Sequence, residues 1–228
     1  LVQINRGIDT DYFNMSSVTE QRKEKILSKL LLKENVHVFL LPARITSWKG
    51  HLIALDAIKT ITQKSPKLNF IMLFVGGADG KTRFRKTLER RVKQLNIENK
   101  VIFCGNLNDM PAVYSIADIV LSTSVEPEAF GRVSAEASSM TKPIISSNHG
   151  GSREIIENEM TGWLVEPSDS QELADKILEV LDLPQERKDK IGSNARRRVQ
   201  EKFSLDQMLK KTMMIYEDLL STKENLNH

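Results

Sequence analysis

The chain lacks most of the features that mark a specialised protein. It holds one cysteine, Cys104, in 228 residues, so no internal disulfide can form and a reducing compartment is expected. No apolar run reaches the length of a membrane span, and no basic start followed by an apolar segment reads as a signal peptide. The expected location is therefore cytoplasmic. The four histidines, His37, His51, His149 and His228, show no metal-ligand spacing and Cys104 has no nearby partner. No metal or other cofactor is expected. Charge of one sign is missing too: 33 Lys and Arg against 30 acids leave +3, too even to imply nucleic-acid binding. Internal repeats and low-complexity tracts are absent, which argues against a solenoid.

What is present is an ordinary folded chain, 40% apolar and 28% charged, long enough to bury a real core. It opens on Leu1 rather than Met, as a cleaved product or part of a longer protein would. Near-continuous apolar runs at 36–41, 69–75, 100–104, 119–121, 143–146 and 162–165 read as buried strands. Helical spacing fills the gaps. One helix runs through about 31 from the capping-box spacing Ser17-Val-Thr-Glu20, and others cover 52–61, 82–95, 133–140, 152–157 and 171–181. Asp109 is placed to cap a short helix ending at 116. This alternation predicts an α/β fold: a Rossmann-like parallel sheet with helices on both faces, over about 1–183.

A C-terminal helical tail follows, over about 184–228. Residues 185–202 form a basic helix carrying Arg196-Arg-Arg198, and Ser204-Leu-Asp-Gln207 restarts the chain as a new helix. Its apolar stripe, Leu205, Met208, Leu209, Thr212, Met213, Tyr216, Leu219 and Leu220, is expected to pack on the same domain. The sharper alternative seats part of it on a further domain or partner. The arginines are expected to form a solvated face, with an anionic membrane surface as the minority reading.

Several motifs fail on inspection. Gly77-Ala-Asp-Gly-Lys-Thr82 resembles the end of a P-loop, but the pattern needs a glycine where Val75 stands. There is no complete G-x-G-x-x-G. Asp9-Thr-Asp11 is formally a D-x-D metal pair, but it precedes the whole sheet, so a turn or cap is preferred. His37 falls inside the first strand, where a satisfied core or edge position is expected.

Three strand-end loops survive. Ala43-Arg-Ile-Thr-Ser-Trp-Lys-Gly50 places Arg44 and Lys49 before a helix, fit to neutralise a diphosphate or to stand as two solvated cations. Gly76-Gly77 allows close approach to a ligand, or an ordinary turn. Glu126-Pro-Glu-Ala-Phe-Gly-Arg-Val-Ser-Ala-Glu136 runs from a strand through a glycine turn into a helix, where α/β proteins bind anions. On one regular helix Glu128 and Glu136 would stand about 12 Å apart and roughly 80° around the axis. They are thus suited to two ends of one elongated ligand rather than to a paired acid and base; two unrelated surface acids are the plain alternative.

In order, Ala43–Gly50, Glu128-Ala-Phe-Gly-x4-Glu136, His149-Gly-Gly-Ser-Arg-Glu154 and Thr161-Gly-Trp-Leu-Val-Glu-Pro167 closely resemble the C-terminal, donor-binding half of retaining glycosyltransferases of family four, which have the two-domain GT-B fold. Asn5-Arg-Gly-Ile-Asp9 resembles the opening of that half. The resemblance implies roles. Arg44 and Lys49 would hold the donor diphosphate, and Glu128 would lie by the donor sugar as a positioning and electrostatic group. Glu136 would accept hydrogen bonds from the ribose hydroxyls. Amides from Phe130, Gly131, Arg132 and Val133 would touch phosphate and sugar. Phe103, Asn106 and Leu107 would flank the base, with Gly76 and Gly77 near the donor. It further implies sugar transfer with retained configuration and without a metal, to a glycan, lipid or other acceptor, as in lipopolysaccharide or glycan synthesis. The acceptor would be held by an N-terminal domain not included in this chain. Little activity is then expected of the chain alone, and peripheral membrane contact would belong to the full-length enzyme. Two other readings remain: a non-catalytic nucleotide-sugar-binding module completed in trans, and another Rossmann-like enzyme such as a sugar-nucleotide epimerase. The epimerase is disfavoured by the absence of a glycine fingerprint and of a Tyr-x-x-x-Lys pair.

Overall fold

The apolar runs become the strands β1 (His37–Pro42), β2 (Phe70–Val75), β3 (Val101–Gly105), β4 (Ile119–Ser122), β5 (Ile144–Ser147) and β6 (Trp163–Val165). The structure is a computed structural model and describes residues 2–32, 35–77 and 82–225. Among these residues the six strands form one sheet in the order β3-β2-β1-β4-β5-β6, every pairing parallel. The register pairs Phe39 of β1 with Met72 of β2 on one side and with Ile119 of β4 on the other. The strand order therefore reverses between β1 and β4, and open α/β sheets bind ligands in the crevice such a reversal leaves at the carboxyl ends of the strands.

Alternation along each strand feeds two cores. Phe39 and Leu41 of β1 pack with α2 (His51–Lys64), α3 (Thr82–Leu95) and α7 (Ser170–Asp182). Val38 and Leu40 pack on the opposite face, with α1 (Glu20–Leu30), α4 (Met110–Ser115), α5 (Arg132–Ser139) and α8 (Gln185–Lys202). Both faces are thus sealed, which is why the strands read as apolar runs rather than as alternation. A short α6 (Ser152–Ile155) follows β5, and α9 (Leu205–Asn225) is the last element among the described residues.

The predicted elements differ from the structure mainly at caps and in the tail. Thr19, not Ser17, caps α1, its side chain accepting from the Arg22 N–H. Asn14 has already started a one-turn 3-10 helix, Met15–Ser17, so Ser17 is used up as the end of that turn. Asp109 caps α4 and accepts from the Ala112 N–H, as expected. Asp9 Oδ1 accepts from the Asp11 and Tyr12 N–H groups at 3.0 and 2.8 Å, the turn role preferred for it. His37 sits half-exposed at the head of β1, 3.7 Å from Asp118. The P-loop-like stretch falls across 78–81, outside the described residues.

Two expectations for the tail are overturned. Arg196 and Arg198 are not solvated. Arg196 donates to the carbonyls of Phe13 and Ser139, and Arg198 to those of Glu154 and Ile155, with an ion pair to Glu157. They satisfy the carbonyl of Phe13 in the N-terminal segment and carbonyls left over at the ends of α5 and α6, partners distant in sequence. Arg197 alone is exposed. The apolar stripe of α9 does not pack on this domain: Leu209 is 51% exposed, and Leu219 and Leu220 are each 63% exposed. The chain holds α9 at its first turn, where Ile8 bridges Ser204 and the Ser204 hydroxyl caps the Gln207 N–H. Beyond that turn only Met208 and Thr212 of the stripe are half-buried. Among the described residues no helix is long and apolar enough to cross a membrane.

Candidate functional site

The loops after β1 and β4 meet at the reversal of strand order and are laced through their backbones. The Val125 N–H donates to the Trp48 carbonyl at 2.7 Å, and the Thr123 hydroxyl to the carbonyls of Lys49 and Gly50 at 3.3 Å each. Gly50 makes this approach possible. Its φ is +73°, and a Cβ there would lie 1.7 Å from the Thr123 carbonyl oxygen. The loop after β1 tightens into a 3-10 turn, Ser47–Lys49, and aims Lys49 back across the crevice.

Lys49 Nζ lies 2.8 Å from Glu128 Oε1, and the two side chains are only 13% and 15% exposed. The Ser124 hydroxyl donates to the same carboxylate oxygen, and Ser124 is itself held through its carbonyl by His149 Nε2 at 2.9 Å. Behind Glu128, its carbonyl accepts from the Gly151 N–H at 2.7 Å. A Cβ on Gly151 would lie 2.2 Å from the Phe130 carbonyl carbon, so the His149-Gly-Gly-Ser152 turn can press this closely against the loop only as glycine. Glu128 is therefore fixed before α5 begins, not on it. Glu136 lies within α5 and is 7% exposed. Its Oε2 accepts from the Tyr114 hydroxyl at 2.8 Å and its Oε1 from Arg132 Nε at 2.6 Å. Burial, and then the neighbouring Glu136 carboxylate, push the Tyr114 hydroxyl well above its ordinary pKa, so it stays protonated and donates.

Both carboxylates open onto one cavity of about 700 Å³. Arg44 and Lys49 line it from the β1 side, and Gly76, Asn106 and Leu107 from the β2 and β3 side. Phe130, Arg132 and Val133 join the two acids on the β4 side. Three residues singled out in the sequence do not line it. Gly77 packs beside the Asn106 amide, and Gly131 is the N-cap of α5. The Phe103 ring is turned into the sheet core, 5.3 Å from Phe74, with the Arg85 guanidinium 3.8 Å above it. Phe103 lies on the strand and faces α2 and α3, whereas the residues after β3 face the crevice.

Residues not picked out as site residues include Tyr114 and Ser124, which hold the two acids, and Gly7, Asp9 and Tyr12, which the return of the chain at Ser204 brings to the rim. No spacing marks Tyr114 or Ser124. The Asn5-to-Asp9 segment was the one available signal for the rim. His51 lies beneath Lys49, fully buried, its ring edge-on to Phe74 at 5.1 Å. Neither ring nitrogen completes a hydrogen bond of normal geometry among the described residues, although the backbones of Ala43 and Thr46 lie beside the ring. Burial, and then the Lys49 cation, lower its pKa to about 4, so the imidazole is neutral.

Chemically, the cavity combines an arginine and a lysine, the amide end of α5 and two buried-side carboxylates with fixed donors. Cations and first-turn amides favour a polyanion. The two carboxylates that share the cavity accept from hydroxyls. Among the described residues no group of three or more His, Cys, Asp or Glu side chains is placed to hold a metal ion.

The comparisons with known proteins agree with one another. The profile of the family described as glycosyl transferases group 1 matches residues 22–198. A glycosyltransferase from Rickettsia africae ESF-5, known from its crystal structure, superposes with a TM-score of 0.91 at 37% identity, over 96% of this chain and 57% of that one. The Anabaena protein HepE, solved in complex with UDP-glucose, superposes with a TM-score of 0.82 at 30% identity, over 96% of this chain and 57% of that one. The N-acetyl-alpha-D-glucosaminyl L-malate synthase of Bacillus anthracis is 32% identical over 139 residues, 61% of this chain and 36% of that enzyme. The chain thus spans little more than half the length of these solved relatives, and about a third of the synthase. These matches bear out the resemblance drawn from the ordered motifs. The chain belongs to the glycosyl transferases group 1 family, and its Rossmann-like α/β fold is that of the C-terminal unit of a GT-B glycosyltransferase.

Proposed function

We propose that this chain is the donor-binding half of a retaining glycosyltransferase that takes a sugar from a nucleoside diphosphate. The observation that carries the reading is the pair Glu128 and Glu136 lining one cavity together with Lys49, Arg44 and the head of α5. A diphosphate fits among the cations and amides. Glu136 then receives the ribose hydroxyls and Glu128 lies by the transferred sugar. Cleavage of the sugar–phosphate bond builds negative charge on the diphosphate and positive charge on the sugar. Arg44, Lys49 and the α5 amides stabilise the first, and the Glu128 carboxylate the second. Lys49 serves both, since it is already paired with Glu128. In this reading the fixed cations replace a metal ion.

The acceptor is held outside this chain, by a domain for which the exposed face of α9 is the contact; the chain alone binds donor but transfers little. HepE is solved with UDP-glucose, so a UDP-sugar is the first donor to try. The test is calorimetric titration of the chain with UDP, GDP, ADP and their sugars, with and without EDTA. One nucleoside diphosphate should bind in preference, indifferent to EDTA, and the Arg44→Ala/Lys49→Ala double variant should lose it. Unchanged affinity in that variant sinks the diphosphate assignment, and robust transfer by the isolated chain sinks the division of labour.

A further inference from the structure

One ion pair of the cavity runs against the helix that carries it. Arg132 is the first residue of α5, where the dipole and the exposed amides disfavour a cation. In an i,i+4 pair the order basic-then-acidic is also the weaker one. Helix stability therefore gives little reason for arginine here. Its side chain is 75% exposed, against 9% for Glu136. Yet Arg132 Nε holds Glu136 Oε1 at 2.6 Å.

The two oxygens of Glu136 are not equivalent. Oε2 faces inward to Tyr114, which is fully buried. Oε1 is held by Arg132, which lines the cavity. A hydroxyl that reaches Glu136 from the cavity therefore shares Oε1 with the arginine, whose charge already draws on that oxygen and makes it a poorer acceptor while the pair stands. The same arginine stands at the head of α5, where the phosphates would lie in the function proposed above.

We infer that Arg132 is an exchange latch, which keeps Oε1 of Glu136 until a diphosphate arrives, then turns onto the phosphate and releases that oxygen to the nucleoside. The inference rests on the donor-site reading. A phosphate offers the guanidinium two parallel hydrogen bonds and more charge than one carboxylate oxygen, so the exchange runs in that direction. The i,i+4 pair it gives up is partly exposed and weak. A nucleoside without phosphates meets an oxygen already engaged by the arginine and has nothing to draw that arginine away. Arg132 is thus a specificity residue: it makes recognition of the ribose conditional on recognition of the diphosphate.

The test is titration of the 228-residue chain with UDP, uridine and inorganic pyrophosphate, uridine by ligand-observed NMR. GDP with guanosine, or ADP with adenosine, replaces the uridine pair if that diphosphate binds more tightly. In Arg132→Ala, UDP and pyrophosphate should bind about tenfold more weakly or worse. Uridine should bind more tightly; unchanged uridine affinity would make Arg132 a plain phosphate contact and overturn the latch. Arg132→Lys, which keeps a cation without the fork, should recover part of the UDP affinity. Equal weakening of UDP and uridine in Arg132→Ala marks Arg132 as merely structural and overturns the latch, as does unchanged UDP affinity. If no nucleoside diphosphate binds the unaltered chain, the donor-site reading falls and the latch with it; if one binds and the pattern fails, the latch alone falls.

Discussion

Glu128 sits on a loop and Glu136 in the middle of α5, and the two carboxylates are held by different means. Glu128 depends on other segments: Lys49 from the loop after β1, Ser124 from the end of β4, and the Gly151 amide from the turn after β5. Glu136 depends on its own helix, with Arg132 one turn earlier and the Tyr114 hydroxyl from the adjacent α4. The setting of Glu128 is therefore a product of loops packed against loops, and that of Glu136 of a helix with two side-chain donors. The first should break through the backbone and the second through single side-chain atoms.

The largest effect should come from Gly151→Ala. Its Cβ would meet the Phe130 carbonyl carbon at 2.2 Å and oxygen at 2.3 Å, both backbone atoms that no rotamer change can move aside. The turn must withdraw, taking the amide that holds Glu128, and urea unfolding should show a loss of about 3 kcal/mol. A loss below about 1 kcal/mol would show that the loops are not locked to one another.

Of the same size is a pH effect close to Lys49. His51 has a pKa of about 4 in the fold against 6.5 outside it, because it is buried and lies near Lys49. Between those values the unfolded chain binds more protons than the folded one. The contribution of His51 is therefore intact above pH 6.5, declines as pH falls through the window, and is gone below about pH 4. That shift corresponds to about 3 kcal/mol. Carboxylates titrate over part of the same range, so the check is a difference: His51→Phe, which keeps a ring beside Phe74, should lose less stability from pH 7 to 4 than the unaltered chain.

The same contrast explains what could be read without coordinates. The strands were legible because both faces of the sheet are sealed, leaving Phe39 to Leu41 and Phe70 to Val75 as unbroken apolar runs. Glu128, Glu136, Arg44 and Lys49 were legible because they lie on strand-end loops or the helix just beyond one. Their holders were not: Tyr114 looks like any core aromatic and Ser124 like any loop serine until the fold brings each to its acid. For the same reason Arg196 and Arg198 read as solvated, since carbonyls at helix ends leave no mark in a sequence. The stripe on α9 shows the complementary failure. Its periodicity matches that of α7, yet Ile177 of α7 is 0% exposed and Leu219 of α9 63%. Periodicity defines an apolar face but does not say what covers it.

At Glu136, Tyr114→Phe should have an intermediate effect. It removes one hydroxyl without changing the ring, and leaves Glu136 Oε2 facing inward with its donor gone. A hydrogen bond to a charged group is worth about 2 kcal/mol, so thermal or urea unfolding should show a loss of that order. Donor affinity should fall as well, since the carboxylate would no longer be held on its inner side. A change indistinguishable from zero would mean that the helix alone positions Glu136, which would widen the contrast with Glu128.

The smallest effect on stability should come from Arg132→Ala, although this substitution breaks the other ion pair of Glu136. The pair is spaced i,i+4, its arginine is 75% exposed, and it places a cation at the positive end of a helix dipole. Such pairs contribute about 0.5 kcal/mol or less, and the unfavourable dipole offsets part of that. The unfolding midpoint should therefore barely move, and raised salt should move it no further. If Arg132→Ala unfolded the chain as readily as Gly151→Ala, the arginine would be holding the cavity together. With stability unchanged, any loss of phosphate binding in this variant can be assigned to the arginine's contact with the ligand, because the wall it stands on is still in place.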